Sequence, residues 1–199
     1  MNKQVIVSIG REYGSAGHEI GRKLAEKLSL PFYDRNILDE VAAAKNADAD
    51  ILKKYDEKPR RWFFSRTVKG YSNSPAENVA ELMFALLKSK AADGDSFVIV
   101  GRCSDEIFDG IAPCISVFIT ADRKDKIARV MEKRGKTEKD AIKTIERHDK
   151  TRRLYHDHFC KKGKWGHAST YTLCINSSRL GIDETVSFLA EYINKAVSE

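Results

Sequence analysis

With 199 residues, 42% of them hydrophobic and 32% charged, the chain can bury one α/β core and is too apolar for extended disorder. The net charge of +6 suits an anionic partner, either a nucleic acid or a polyphosphate gripped by clustered arginines. No apolar run reaches membrane-spanning length, Cys103, Cys114, Cys160 and Cys174 form no C-x-x-C pair, and Met1 to Gln4 lead into a strand pattern without signal-peptide features. These features set the expectation of a reduced, cytoplasmic protein with no membrane partner.

Val5-Ile6-Val7-Ser8-Ile9 is a β-branched block of strand length, and Ile20, Leu24, Ala25 and Leu28 recur on one helical face. Between them runs Gly10-Arg11-Glu12-Tyr13-Gly14-Ser15-Ala16-Gly17-His18-Glu19. A glycine-rich turn between a buried strand and a helix suits phosphate: the backbone comes close, amides point at the anion, and the helix N-terminus adds partial positive charge. The usual phosphate loop reads G-x-x-x-x-G-K-[ST]. Counted back from Gly17, its first glycine falls on Glu12, its lysine on His18 and its hydroxyl on Glu19. A merely structural turn needs one glycine. The strand–turn–helix setting therefore favours phosphate held by amides and helix dipole, which do not depend on those side chains.

Leu30-Pro31-Phe32-Tyr33-Asp34 reads as a short second strand, with Asp34 and Arg35 at its carboxyl end, the edge where open α/β sheets hold ligands. A helix with Ile37, Leu38 and Val41 inward follows. From Lys45 to Pro75 the chain turns polar and aromatic by turns, without a strand. Trp62, Phe63 and Phe64 lie there among Arg60, Arg61 and Arg66. Such interleaving can stack on bases. The preferred reading is an insertion in a single domain spanning 1–199 that packs its aromatics on the main body and keeps its arginines solvated, which leaves nucleic acid an unfavoured partner.

Val79, Leu82, Met83, Leu86 and Leu87 give the helix over Ala76 to Ala91 a core stripe, and Phe97-Val98-Ile99-Val100 is a continuous buried strand. As the strand after a crossover it is expected beside the first, which would bring Gly101-Arg102 to the crevice near the loop. Ile115 to Ile119 form the fourth strand, and Ile127, Val130 and Met131 the inner face of the next helix. Gly135 breaks that helix, and Thr137-Glu138-Lys139-Asp140 caps another. This second helix carries Arg147, Asp149, Arg152, Arg153 and Tyr155. One Asp–Arg pair would contribute only about 0.3–0.5 kcal/mol to a solvated face. The denser group Arg129, Lys133, Arg134, Arg147, Arg152 and Arg153, in two helices joined by a glycine turn, argues instead for an anion clamp. His156, His158, Cys160 and His167 lack a zinc spacing; His156 and His158 point about 200° apart on a helix, and the group reads as helix-surface residues. Tyr171 to Asn176 form the fifth strand, and Ile182, Val186, Leu189, Ala190 and Ile193 line the closing helix.

Across nearly its whole length the chain resembles the cytidylate kinase-like proteins, relatives of bacterial CMP kinase among the nucleoside monophosphate kinases. The matching pieces are Ser8 to Arg22, Pro31 to Arg35, Val98 to Arg102, Asp149 to Arg152 with Tyr155, Lys164-Trp165-Gly166, and Leu173 to Ser177 through Leu180-Gly181-Ile182. The resemblance implies a P-loop NTPase-like three-layer α/β fold with a five-stranded parallel sheet, a helical lid over 129–160 and a helical insertion on the acceptor side over 45–75. It also implies transfer of the ATP γ-phosphoryl group, with Mg²⁺, to a nucleoside monophosphate or similar small acceptor. On that footing amides from Gly14, Ser15, Ala16, Gly17 and His18 cradle the donor phosphates, with Glu19 beside them. Arg102, Arg35 and Asp34 hold the acceptor. Arg134, Arg147, Arg152 and Arg153 supply lid charge, and Asp149 orients them.

CMP kinases carry the loop lysine, a small or hydroxyl residue after it, and an aspartate after the third-strand Gly-Arg, where this chain has His18, Glu19 and Cys103. Arg11 or Arg102 stands as a replacement for the missing charge, and Glu19 or Ser15 as a Mg²⁺ contact. Three functions follow in order: a small-molecule kinase, a nucleotide-binding module of the same fold that has lost catalysis, and a nucleic-acid binder acting through Arg60 to Arg66.

Overall fold

The computed structural model describes residues 3–46, 48–55, 67–68, 71–72, 74–108, 110–161 and 163–198. The β-branched run at the start becomes β1 (Ile6–Arg11), followed by α1 (Gly17–Leu28), β2 (Phe32–Tyr33), α2 (Ile37–Lys45) and α3 (Ala49–Tyr55). A short pair, β3 (Thr67–Val68) and β4 (Tyr71–Ser72), precedes α4 (Pro75–Ala92), β5 (Phe97–Val100), α5 (Ser104–Ile107) and β6 (Cys114–Thr120). The chain closes with α6 (Arg123–Arg134), α7 (Glu138–Phe159), a 3₁₀ turn at Ala168–Thr170, β7 (Leu173–Asn176) and α8 (Ser177–Ser198).

The main sheet is parallel, in the order β2-β5-β1-β6-β7. β1 lies at its centre, with Val7 opposite Val98 of β5 and Ile115 of β6. A parallel strand covered on both faces must be apolar on both, and the run Val5-Ile6-Val7 is fully buried. Val5, Val7 and Ile9 pack with Ile20 and Leu24 of α1 and Leu189 and Ile193 of α8. Ile6 turns to the other face, toward Ile37, Leu38, Met83, Leu87 and Phe97. Each such side chain contributes about 1.5–3 kcal/mol by leaving water. The result is the expected three-layer α/β fold.

Several local expectations need correction. The edge strands shrink to Phe32–Tyr33 and Leu173–Asn176, because each has a hydrogen-bonding neighbour on one side only. The stretch from 45 to 75 contains α3 and the antiparallel pair β3–β4, in which Val68 faces Tyr71, so it does not lack strands. Arg60, Arg61, Trp62, Phe63, Phe64 and Arg66 lie outside the described residues. Met131 is 37% exposed; the inner face of α6 is Ile127 and Val130, packed on Ala141 and Ile145 of α7. The last helix begins at Ser177 and is broken at Gly181, whose φ of 74° and ψ of −178° are not helical. His156 and Cys160 are buried, not surface residues, since α7 has neighbours on more than one side. Among the described residues no helix is long and apolar enough to cross a membrane.

Candidate functional site

The turn after β1 lies at the carboxyl edge of the sheet and is held from within. Ser15, fully buried, donates its hydroxyl to the Glu12 carbonyl at 2.9 Å, and the Gly17 amide reaches Ser15 Oγ at 3.3 Å. Ser177 at the start of α8 donates to the Ser15 carbonyl at 2.8 Å. Ala16 is left-handed, with φ of 62°, and is the N-cap of α1. The amides of Gly14, Ala16, His18 and Glu19 meet no acceptor among the described residues, and the last two belong to the positively polarised first turn of α1. Among the described residues, the described part of the loop thus offers amides and a helix dipole.

The side chains at the two departing positions both turn to partners. His18 Nε2 donates to Asp34 Oδ2 at 2.7 Å, tying α1 to the end of β2. That bond, more than any other influence, holds the Asp34 carboxyl down at about 2; the Asn36 amide on its other oxygen adds to it. Glu19 accepts from Lys133 Nζ at 2.7 Å, which lowers its pKa.

Helix α6 runs along the loop with one cationic face. Lys126, Arg129 and Lys133 are spaced at i, i+3 and i+7, the spacing of one helical stripe. In that order they meet Glu12 (Lys126 Nζ to Oε2, 2.8 Å), the Gly14 carbonyl (from Arg129 Nη1) and Glu19. The Thr120 hydroxyl at the end of β6 also donates to Glu12 Oε2, at 2.5 Å. The contact is close: a Cβ built on Gly14, itself at φ 83°, would stand 2.9 Å from the Lys126 carbonyl oxygen.

Helix α7 grips the same turn from the other side. Asp149 Oδ1 accepts the Tyr13 amide at 2.7 Å and lies 3.9 Å from Arg152 Nη1. Burial pushes the Asp149 pKa up, against the pull of the Tyr13 amide. His148 stacks on the Tyr13 ring at 4.3 Å and 7°, while the Arg152 guanidinium sits 5.4 Å from the same ring and donates to the Arg11 carbonyl at 3.3 Å. Asp149 therefore holds the loop as well as an arginine.

Arg102 lies in the crevice between β1 and β5. It is 2% exposed and lines a cavity of about 30 Å³ together with Arg11, Gly101, Arg152, Tyr155 and His156. That is room for about two waters, so the space suits one anionic group rather than a whole nucleotide. The Arg11 guanidinium lies directly over Gly101, where a Cβ would come within 2.2 Å of Nη1. Arg102 and Cys103 are left-handed in succession, with φ of 69° and 51°. Such residues cost on the order of 1–3 kcal/mol and need support. Ser104 provides it, donating to the Gly101 carbonyl at 2.7 Å, with Ser8 Oγ 2.6 Å from Ser104 Oγ. Since the Ser104 proton goes to the carbonyl, Ser8 is the donor in the second bond. Ser104→Ala is expected to lower stability by about 1–3 kcal/mol, because it leaves that carbonyl and the buried Ser8 hydroxyl without it. Chemical denaturation of the variant measures this, and an unchanged midpoint would count against the support.

The other anticipated residues lie apart. Arg35 donates to the Lys53 carbonyl at 2.8 Å, toward α3. Arg153 sits 5.4 Å from the Trp165 ring, Arg147 is exposed beside His148, and Arg134 is exposed at the end of α6. Of the four arginines expected in the lid, Arg152 is the one with a contact to the loop among the bonds described. Glu12, Tyr13, Lys126 and His148 were not anticipated. The stripe 126/129/133 was readable, but a cationic stripe also describes an ordinary solvated face. Among the described residues no group of three or more His, Cys, Asp or Glu could hold a metal ion.

Comparison with known proteins extends this geometry. The cytidylate kinase-like family model matches residues 6–179. The crystal structure of an uncharacterized protein from Eubacterium ventriosum ATCC 27560 is similar at 34% identity and a TM-score of 0.75, covering 96% of this chain and 99% of that one. Shikimate kinase from Bacteroides thetaiotaomicron shares the fold at 14% identity and a TM-score of 0.55, covering 96% of this chain and 98% of that one. Shikimate kinase from Acinetobacter baumannii, in complex with shikimate, does so at 14% identity and a TM-score of 0.52, covering 98% and 95%. No curated protein matches the chain. The family match runs from β1 to the start of α8, over most of the chain: the chain belongs to the cytidylate kinase-like family.

Proposed function

We propose that this protein transfers the γ-phosphoryl group of ATP to a nucleoside monophosphate or similar small acceptor. The observation that carries the reading is the meeting of Arg11, Arg102 and Arg152 around one small cavity, at the carboxyl ends of two central strands and beside the loop. Phosphoryl transfer needs little covalent help. It needs donor and acceptor aligned and the charge on the moving group neutralised. The loop amides and the first turn of α1 hold the donor phosphates. The three arginines hold the group in transit, and their planar forks match phosphate oxygens in pairs. Asp149 and Tyr13 keep α7, and with it Arg152, against the loop.

Mg²⁺ would accompany the nucleotide and neutralise phosphate charge, with phosphates and water as most of its ligands. The protein offers it Glu19 in the first turn of α1, a donor set in keeping with such an ion and too small for a resident metal site. Asp34, beside the crevice and ionised through His18, would face the acceptor's polar groups rather than its phosphate.

Incubation with ATP, Mg²⁺ and a panel of nucleoside monophosphates and small hydroxy acids, followed by ADP release, tests the proposal. Acceptor-dependent ADP formation is expected. A protein that binds ATP and releases no ADP with any acceptor would instead be the non-catalytic nucleotide-binding module, the reading that His18 in place of lysine favours.

A further inference from the structure

A phosphate loop commonly brings its own cation, and here the residue at that place, His18, is joined to Asp34 instead. Besides Arg152 of α7, three cations of α6 lie against the loop. Lys126 is held in place: its side chain is 13% exposed, and its partner Glu12 also accepts from Thr120. Arg129 is joined to a loop carbonyl. Lys133 differs in two respects. Its side chain is 58% exposed, and its partner Glu19 sits in the first turn of α1, where the helix dipole favours an anion.

We propose that Lys133 of α6 supplies the donor-phosphate cation that the loop lacks, moving from the Glu19 carboxylate to the nucleotide when ATP binds. Glu19 is then an internal stand-in for a phosphate, holding the lysine near the loop until the nucleotide displaces it. This rests on the loop being the donor site. The exchange is cheap, since an exposed lysine–glutamate pair is worth only about 0–1 kcal/mol. A polyphosphate offers more charge and more acceptor oxygens than one carboxylate, and charge-assisted bonds to it are the stronger ones. A four-carbon stem with a rotatable ammonium suits the change of partner.

The sign of two substitutions separates this role from a purely structural ion pair. Breaking a structural pair from either end has the same effect. Here the ends act oppositely, because one is the cation and the other its competitor. Binding of ATP and of inorganic tripolyphosphate is measured by calorimetry without divalent cation, so that any bond from Glu19 to Mg²⁺ plays no part. Lys133→Met is expected to weaken both ligands about tenfold or more, and Lys133→Arg to recover most of the loss. Glu19→Gln is expected to tighten both about twofold to fivefold. Lys133 is exposed and Glu19 half-buried, and such a pair adds little to folding, so the melting temperatures of the unliganded variants should stay close to that of the parent. Lys133→Met and Glu19→Gln shifting affinity in the same direction, or Lys133→Met leaving it unchanged while the parent protein binds ATP, overturns the inference and leaves the donor-site reading standing. A parent protein that binds neither ligand overturns both.

Discussion

Gly17→Val is expected to remove nearly all of the thermal stabilisation that ATP confers. The position is crowded by the loop itself: a Cβ there would lie 2.5 Å from Arg11 Cβ and 3.3 Å from Ser15 Oγ. Ser15 holds the inside of the turn through Glu12, and the Arg11 side chain reaches across to lie over Gly101 in the crevice. A branched side chain at 17 would push both aside, spoiling the amide cradle and the arginine cavity in one change. Overpacking of this kind costs about 1–3 kcal/mol of stability, so the variant should still fold. Melting curves with and without ATP give the answer. Gly17→Ala already introduces the offending carbon and should lose a substantial part of the effect. An ATP-induced shift preserved in the valine variant would mean that this turn is not the phosphate site.

Arg102→Ala is expected to reduce acceptor-dependent phosphoryl transfer by on the order of a hundredfold to a thousandfold. A preorganised charge on a transferring phosphoryl group can be worth that much in a site shielded from water. Arg102 is almost completely buried and its backbone is already left-handed, so alanine removes the guanidinium without changing the demand on the main chain. Arg102→Lys keeps the charge and loses the fork, and its rate should fall between the two. Removal of a buried arginine also empties space, so turnover must be compared with melting temperature. Transfer rates that merely follow the melting temperatures would make Arg102 a packing residue.

The parts of the site that depend on buried strands were legible in advance. A run such as Phe97-Val98-Ile99-Val100 is apolar at every position, which places it inside the sheet, and a residue just past such a strand comes out at the ligand edge. The crevice position of Arg102 follows from that alone. Contacts between a loop and a distant helix were not legible. Nothing about Asp149 says that its carboxylate accepts a backbone amide 136 positions away, because an amide has no residue type to read. The same holds for Tyr13, which reads as one more loop aromatic until His148 and Arg152 are seen on its ring. For Arg134, Arg147 and Arg153 composition says only that the two helices are rich in basic residues; charge density does not say which face meets the loop. Burial of His156 escaped notice for a related reason, since polar residues on an amphipathic helix read as solvated until a neighbour covers them.

The bond from Ser177 to the Ser15 carbonyl spans 162 positions, and those from Asp149 to Tyr13 and from Lys126 to Glu12 span 136 and 114. The loop is thus synthesised well before these three partners. β1 must also wait, since its two neighbours in the sheet begin at Phe97 and Cys114. A long-range contact order of this kind slows folding, and it leaves an unpaired β-branched segment exposed meanwhile, a hazard for aggregation that chaperones commonly shield. Nucleotide can stabilise the finished molecule by mass action but cannot act as a template for the growing chain, because its binding surface does not exist until the closing helix has docked.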